Sequence, residues 1–464
     1  MGHTIWIDVE DLLQYALSFC RPSGIQRLAF ELYAALQHDH ADHVRFVRQD
    51  RLRGGFVTVE WSVVTQRFAR ITASLPDRLP APPIARPGHA GIRATLRRWL
   101  DRLPAEVRVP LVAGLRAQAL AAAEVGESLW AGLRLLRPPR RRQSTSAPLG
   151  GVPLDSLAHP GDVLAAFGAP WFGASHPALL REARSRLGLR VALLVYDIIP
   201  LRRPEWCDPA MAALFRDWYR AALPQADTVF AISRATAEDV RRHAGQEGLP
   251  LAGPVIPVPV GSGFAPPRAA AAPMARLPAP GGYVLFVSTL EARKNHILLV
   301  RAWRRLLDEM PENEVPRLVF AGRIGFMVAD LLTELHNSRF LGGKVLLVEH
   351  PDDAELAALY RGCLFTVFPS LYEGWGLPVT ESLAFGKPCL AADATSLPEA
   401  GGRLARYFDP GSVPDAVRVL RAVLADRAGL RAWEAQVRAE FRPVPWSETA
   451  GAIIDALAPA RAAA

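Results

Sequence analysis

Lysine is nearly absent from this chain. Of 54 cationic residues only Lys294, Lys344 and Lys387 are lysines, and the rest are arginines. Cysteine is as sparse: Cys20, Cys207, Cys363 and Cys389 are scattered, with no C-x-x-C spacing. That argues against disulfides and zinc and fits a reducing cytosol. No run of about 18 apolar residues exists to span a bilayer. The start, "MGHTIWIDVEDLL", reaches Asp8, Glu10 and Asp11 before any long apolar stretch, which is unlike a signal peptide. No RNA- or DNA-binding motif accompanies the arginines, which are spread along helical patterns, so no nucleic-acid partner is expected. What remains is a cytoplasmic protein, either free or resting on the inner face of the membrane.

The 464 residues are too many for a single core and point to two domains. A formal charge of +8 and a pI near 9.7 favour anionic partners. From residue 281 onward, short apolar runs alternate with helical patterns: "YVLFVS" (283–288), "RLVFAG" (317–322), "KVLLVEH" (344–350), "LFTVFPS" (364–370) and "PCLAAD" (388–393). Strands without polar alternation are buried on both faces, as in a parallel sheet covered by helices. The first part repeats the theme at "TIWID" (4–8), "DVLAAFG" (162–168), "VALLVYD" (191–197), "DTVFAIS" (227–233) and "VIPVPVG" (255–261). The expected fold is α/β with two doubly wound domains. Residues 85–150 fit neither pattern. Helical spacing of Ile92, Leu96, Trp99, Leu100 and Leu103 alternates with Arg93, Arg97, Arg98 and Arg102, and the segment ends in the basic "RPPRRRQSTSAP". It reads as a helical insertion, and an arginine-rich face over 88–142 would suit an anionic membrane surface.

The most informative stretch is "FPSLYEGWGLPVTESLAFGKP" (368–388). Pro378 suits the first position of a helix and Gly386 the residue past its end, so a helix is expected over roughly 378–385. Its amides and dipole make an anion site, and Gly374 and Gly376 allow close approach of backbone to a phosphate. Glu381 falls in the first turn and tilts back toward Gly376, while Glu373 sits on the loop at a strand's carboxyl end. Two carboxylates would repel a bound diphosphate unless they accept hydrogen bonds from hydroxyls of the same ligand. A diphosphate flanked by diols is a sugar nucleotide. Arg293 and Lys294, in "STLEARKNH" (288–296), would supply the compensating charge.

Together "STLEARKN", "LVFAGR", "VEHPDDAELAALYRGC", "FPSLYEGWGLPVTESLAFGKPCLAAD" and "SLPEAGG" resemble the retaining nucleotide-sugar glycosyltransferases of family 4, of GT-B architecture. The resemblance covers 281–410. It extends more faintly to "GIQR" (24–27), "VYDIIPLRRPE" (195–205), "ADTVFAISRATAEDV" (226–240) and "PWSETAGAI" (445–453). It implies two Rossmann-like domains facing a cleft. An acceptor-side domain would span 1–275, with the 85–150 insertion, and a donor-binding domain 276–440. The last segment, 441–464, would be a helix crossing back to the first domain. Glu373 and Glu381 would be the E-x7-E pair, with Glu381 on the ribose hydroxyls and Glu373 beside the donor sugar. Arg293, Lys294 and the amides around Gly376 and Leu377 would bind the diphosphate. Gly24 would face the phosphates from the other domain, and Arg323 would join the donor site. Where many relatives carry His before the Asp of one strand end, this chain has Tyr196 before Asp197. Those two are the acceptor-side candidates.

The implied activity is sugar transfer with retention from a nucleotide-diphosphate sugar to a glycan or lipid-linked acceptor, in bacterial cell-surface polysaccharide synthesis. No cofactor and no metal are expected. "HDHADH" (38–43) follows a helix end as a solvated loop, and Asp352 and Asp353 begin a helix as capping residues. The competing reading is a catalytically silent sugar-nucleotide binder in a glycan assembly complex. A phosphorylase of similar architecture would need a cofactor-bearing lysine, which this chain is poorly placed to provide.

Overall fold

A computed structural model describes residues 3–18, 22–50, 54–72, 151–262 and 277–458. The insertion expected at 85–150, with its expected membrane contact, lies outside the described residues. The first sheet contains β1 (Ile5–Asp8), β2 (Val44–Gln49), β3 (Phe56–Val59), β4 (Val163–Ala166), β5 (Arg190–Val195), β6 (Thr228–Ala231) and β7 (Val255–Pro257). The second contains β8 (Tyr283–Val287), β9 (Arg317–Gly322), β10 (Val345–Glu349), β11 (Thr366–Phe368), β12 (Cys389–Ala392) and β13 (Arg406–Phe408). Their orders are β3-β2-β1-β4-β5-β6-β7 and β10-β9-β8-β11-β12-β13. Every pairing is parallel except β2 with β3.

The uninterrupted apolar runs follow from this topology. In β1, Ile5 and Ile7 enter one core while Trp6 enters the core on the opposite face. In β8, Val284 and Phe286 face one way, and Tyr283 and Leu285 the other. With a core on each side, no position is left to be polar. The final helix, Trp446–Leu457, buries Ala450, Ile453 and Leu457 in the core of the first domain and packs against the helix Gly24–Asp39.

The two domains meet along the carboxyl ends of their strands, where polar groups cross from one to the other. The helix Arg234–Glu247 of the first domain has Ser233 accepting from the Thr236 amide. Its first two amides, of Arg234 and Ala235, donate instead to Glu399 of the second domain, at 2.9 and 2.8 Å. Thr236 Oγ1 donates to the Gly374 carbonyl at 3.3 Å, and the Tyr372 hydroxyl donates to Asp239. Arg27 pairs with Asp353 at 3.1 Å. Glu399 thus caps a helix that belongs to the other domain. Truncating Glu399 to Ala should cost about 1–2 kcal/mol, the usual value of an N-terminal cap. Truncating Arg234, whose guanidinium is mostly exposed beside Glu399, should cost under about 1 kcal/mol. Urea denaturation of the two variants checks the order, and equal losses would show that the amide contacts carry no special weight.

Candidate functional site

In the second sheet the strand order reverses between β8 and β11, and these strands are paired side by side. Open α/β sheets bind ligands in the crevice at such a switch point. The loop after β8 closes in a 3-10 turn, Ala292–Lys294, ended by Asn295 at φ 60°. The Asn295 side chain donates to the carbonyls of Pro369 and Pro410, at 3.2 and 3.0 Å, which fixes the turn against its neighbours. The loop after β11 is joined to it twice more. The Leu371 amide donates to the Arg293 carbonyl at 3.0 Å, and the Arg293 guanidinium donates to the Tyr372 carbonyl at 2.9 Å.

Side chains complete the junction. Arg293 lies 2.8 Å from Glu373 Oε2, and Lys294 Nζ lies 2.6 Å from Glu373 Oε1. Glu291 approaches Arg293 at 3.4 Å, and Lys294 stands 5.3 Å from the centre of the Phe368 ring. Burial alone would raise the Glu373 carboxyl, but Arg293 and then Lys294 reverse this and hold it down at about 2. Asp197, at the carboxyl end of β5 in the first domain, is held up by burial and drawn down by Arg293. His296, directly behind Lys294, is depressed to about 3 by burial and by that lysine. The result is two partly buried cations, one carboxylate gripping both, Glu291 at the side of Arg293, and a further acid across the cleft.

The turn Gly374-Trp375-Gly376 follows and opens the helix Leu377–Ala384, one residue earlier at each end than the sequence suggests. Gly376 has φ 116°, a conformation that favours glycine, and no side chain caps this helix. Gly374 passes so close to the first domain that a Cβ there would lie 2.0 Å from the Tyr196 carbonyl oxygen. Trp375 packs against cores of both domains. A Cβ on Gly24, the first residue of Gly24–Asp39, would lie 3.9 Å from Leu377. Two helix N-termini therefore face one another across the cleft, next to the cation pair. Such a place suits an anion. Further along the same helix, Glu381 accepts a 2.7 Å hydrogen bond from the Tyr360 hydroxyl.

Comparison with solved structures places this architecture. The chain superposes on sucrose-phosphate synthase from Thermosynechococcus elongatus with a TM-score of 0.53 at 17% identity, covering 98% of each chain. On Anabaena HepE in complex with UDP the TM-score is 0.54 at 13% identity, covering 98% of this chain and 99% of that one. The fold is GT-B. Residues 275–440, which hold the second sheet, match the family model described as glycosyl transferases group 1. The serotype-specific mannosyltransferase WbdA of Escherichia coli is 30% identical over 276 residues, 57% of this chain and 33% of that protein. The D-inositol 3-phosphate glycosyltransferase of Nocardiopsis dassonvillei is 31% identical over 250 residues, 50% of this chain and 55% of that protein. The O-antigen chain mannosyltransferase B of Escherichia coli is 34% identical over 132 residues, 28% of this chain and 34% of that protein. The chain thus spans about a third of the length of the two mannosyltransferases.

Within the GT-B cleft, Arg293, Lys294, Glu373, Gly374, Gly376, Leu377 and Gly24 come together, with Asp197 electrostatically coupled to the first three. Two placements differ from the sequence reading. Glu373 is the counter-ion of the two cations rather than a carboxylate separate from them, because two cations largely withdrawn from water need a negative partner. Tyr196 does not present its side chain to the cleft. Its hydroxyl donates to the Phe167 carbonyl at 2.7 Å inside the first domain, and its own carbonyl meets Gly374 instead. Arg323 follows β9, donates to Thr289 Oγ1 at 3.4 Å and carries its charge to Tyr15 of the first domain.

Other groups went unnoticed in the sequence. Asp11 tucks its carboxylate against Gly168, accepts from the Ala169 amide at 2.7 Å, and is pushed up to about 6, chiefly by burial. Asp8 lies 3.3 Å from His176 Nε2, whose Nδ1 accepts from Trp218. As the sequence suggests, Asp352 caps its helix, in a reciprocal box with Glu355, while the pairing of Asp353 with Arg27 was not legible there. Among the described residues, no group of three or more His, Cys, Asp or Glu side chains could hold a metal ion. No helix among them is long and apolar enough to cross a membrane.

The lowered Glu373 carboxyl has a definite consequence for stability. Its folded value, about 2, lies below the ordinary 4.5, so its contribution is full above pH 4.5 and is lost as pH falls toward 2. The size is on the order of 3 kcal/mol. Glu373→Gln should therefore be less stable than wild type by about that amount at pH 7, and the gap should close between pH 5 and 2.5. Chemical denaturation across that range measures it; a gap independent of pH would mean the two cations do not hold this charge.

Proposed function

We propose that this chain is a retaining glycosyltransferase that takes a sugar from a nucleotide-diphosphate donor and delivers it to a glycan or lipid-linked acceptor. The observation that carries the reading is the joining of Arg293, Lys294 and Glu373 beside the uncapped N-terminus of Leu377–Ala384, at the switch point of the second sheet. The match of residues 275–440 to glycosyl transferases group 1 supports it. The O-antigen chain mannosyltransferase B among the relatives favours a cell-surface polysaccharide as the product.

In this scheme the donor diphosphate lies between the two facing helix N-termini, and Arg293 and Lys294 turn their remaining N–H groups to it. An arginine has five donors and an ammonium three, so pairing with Glu373 leaves capacity for phosphate. The ribose hydroxyls donate to Glu381, and the sugar lies toward Glu373. The acceptor hydroxyl attacks the anomeric carbon on the face from which the diphosphate departs. As the new C–O bond forms and the sugar–phosphate bond breaks, the hydroxyl proton passes to the leaving phosphate oxygen. Negative charge grows on the diphosphate, where the cations and the helix dipole stabilise it. The scheme uses no metal, because these groups provide the charge.

Changing Arg293 or Lys294 to Ala should lower turnover by about 100-fold, without a matching rise in donor KM. The donor is first found by thermal shift against UDP-, GDP-, dTDP- and ADP-sugars, since a ligand of the folded state raises the melting point. Transfer is then followed by nucleotide release. A double alanine variant that turns over at the full rate would defeat the assignment. Tight donor binding with no release to any acceptor would favour a silent binder.

A further inference from the structure

Glu381 occupies an awkward place for a carboxylate that is to meet a ligand. Burial raises its carboxyl above the ordinary value, and Asp353 adds to this. Opposing that are the Tyr360 hydroxyl, which donates to Oε2 at 2.7 Å, and the charge of Arg27 from the first domain. Tyr360 is 2% exposed. Its ring stacks on Phe385 with centroids 5.0 Å apart and planes 9° from parallel. It projects from the helix Asp353–Gly362, whose start is fixed by the Asp352–Glu355 capping box. Burial and the neighbouring Glu381 push the Tyr360 phenol far up, so it keeps its proton and acts toward the carboxylate as a donor.

We propose that Tyr360 is the positioning residue of the nucleoside site: its hydroxyl, 2.7 Å from Glu381, sets the carboxylate for the paired hydroxyls of a ribose. This rests on the reading of Glu381 as the ribose carboxylate. A carboxylate offers about four acceptor positions, and Tyr360 fills one. Without that bond the carboxylate rotates and pays the ordering cost only when the ligand arrives. The stack on Phe385 makes the anchor rigid, which a flexible donor could not provide. Tyr360 touches no reacting atom, so its effect falls on donor recognition and not on the transfer step.

The test compares UDP with 2′,3′-dideoxy-UDP, and GDP with 2′,3′-dideoxy-GDP, by calorimetry on wild type, Tyr360→Phe and Glu381→Gln. Phenylalanine keeps the stack and the volume. Wild type should prefer the ribose form of whichever nucleotide it binds. Tyr360→Phe should weaken that form about tenfold, as expected for one hydrogen bond to a charged group, and leave the dideoxy form unchanged. Glu381→Gln should lose the same preference. Equal weakening of both forms by Tyr360→Phe would reveal a merely structural tyrosine, and an unchanged ribose preference would remove its role; either overturns the proposal. Should Glu381→Gln keep the preference intact, the ribose assignment itself falls. Should wild type bind neither of these pairs nor ADP or dTDP, the reading of the whole cleft as a donor site falls.

Discussion

Two cations side by side at the bottom of a cleft cannot stand without a negative partner, and Glu373 is that partner. Desolvating an arginine and a lysine costs several kcal/mol each, recovered only with close, well-formed pairing. The requirement reaches outward. Glu373 must be held still, and its amide donates to Thr395 Oγ1 at 3.0 Å, while Ser396 Oγ donates to its carbonyl at 2.9 Å. The same Ser396 hydroxyl lies 2.8 Å from the Trp375 carbonyl and so ties the bend to the start of Leu397–Gly401. That short helix carries Glu399 across to the first domain. Glu373 and the contacts that Tyr372, Gly374 and Glu399 make with the first domain are thus built on one continuous stretch of chain, 372–399.

The cleft is narrowest where backbone meets backbone. Gly374 has no room for a side chain beside Tyr196, and Trp375 wedges between two cores. A ligand gripped by Arg293 and Lys294 would therefore lie within reach of both domains, and contacts such as Arg27–Asp353 and Glu399 with the amides of Arg234 and Ala235 set how closely they approach. Many of these contacts are polar and few are large. Interfaces of that kind separate more readily than a hydrophobic core. The relative positions of Gly24 and Leu377 are accordingly a property of the closed arrangement.

Much of this architecture is written in the local sequence. Runs such as "YVLFV" and "VLAA" have no polar alternation because each strand lies between two cores, so parallel sheets could be read directly. Strand β2 escaped notice because "VRFVRQ" interrupts its apolar residues with arginine, and its antiparallel partner β3 is an edge strand of four residues. Strand β13 was missed because only Phe408 of its three residues is buried and Arg406 is exposed, so no apolar run marks it. The helix after Gly376 was legible from Pro378 and Gly386, to within one residue. The pairing of Glu373 with Lys294 was not, since the two are 79 positions apart and meet only because β8 and β11 are neighbours. Tyr196 escaped for a different reason. Adjacent residues at a strand end point in opposite directions, and sequence alone does not say which of Tyr196 and Asp197 faces the core.

The two domains use one topological feature in opposite ways. In the first sheet the order reverses between β1 and β4, and the carboxyl ends there are bridged by Asp11, lodged against Gly168 and bonded to the Ala169 amide. A carboxylate packed into that crevice fills it and gives an anion nothing to bind. In the second sheet the corresponding crevice, between β8 and β11, is bridged by Arg293 and Lys294, whose two positive charges are met by Glu373 and, at Arg293, by Glu291 as well. The N–H groups that these pairs leave free, set beside an uncapped helix start, give that crevice donors suited to an anion. The difference follows from which charge each chain segment places beyond its strand, not from the sheets, which are built alike.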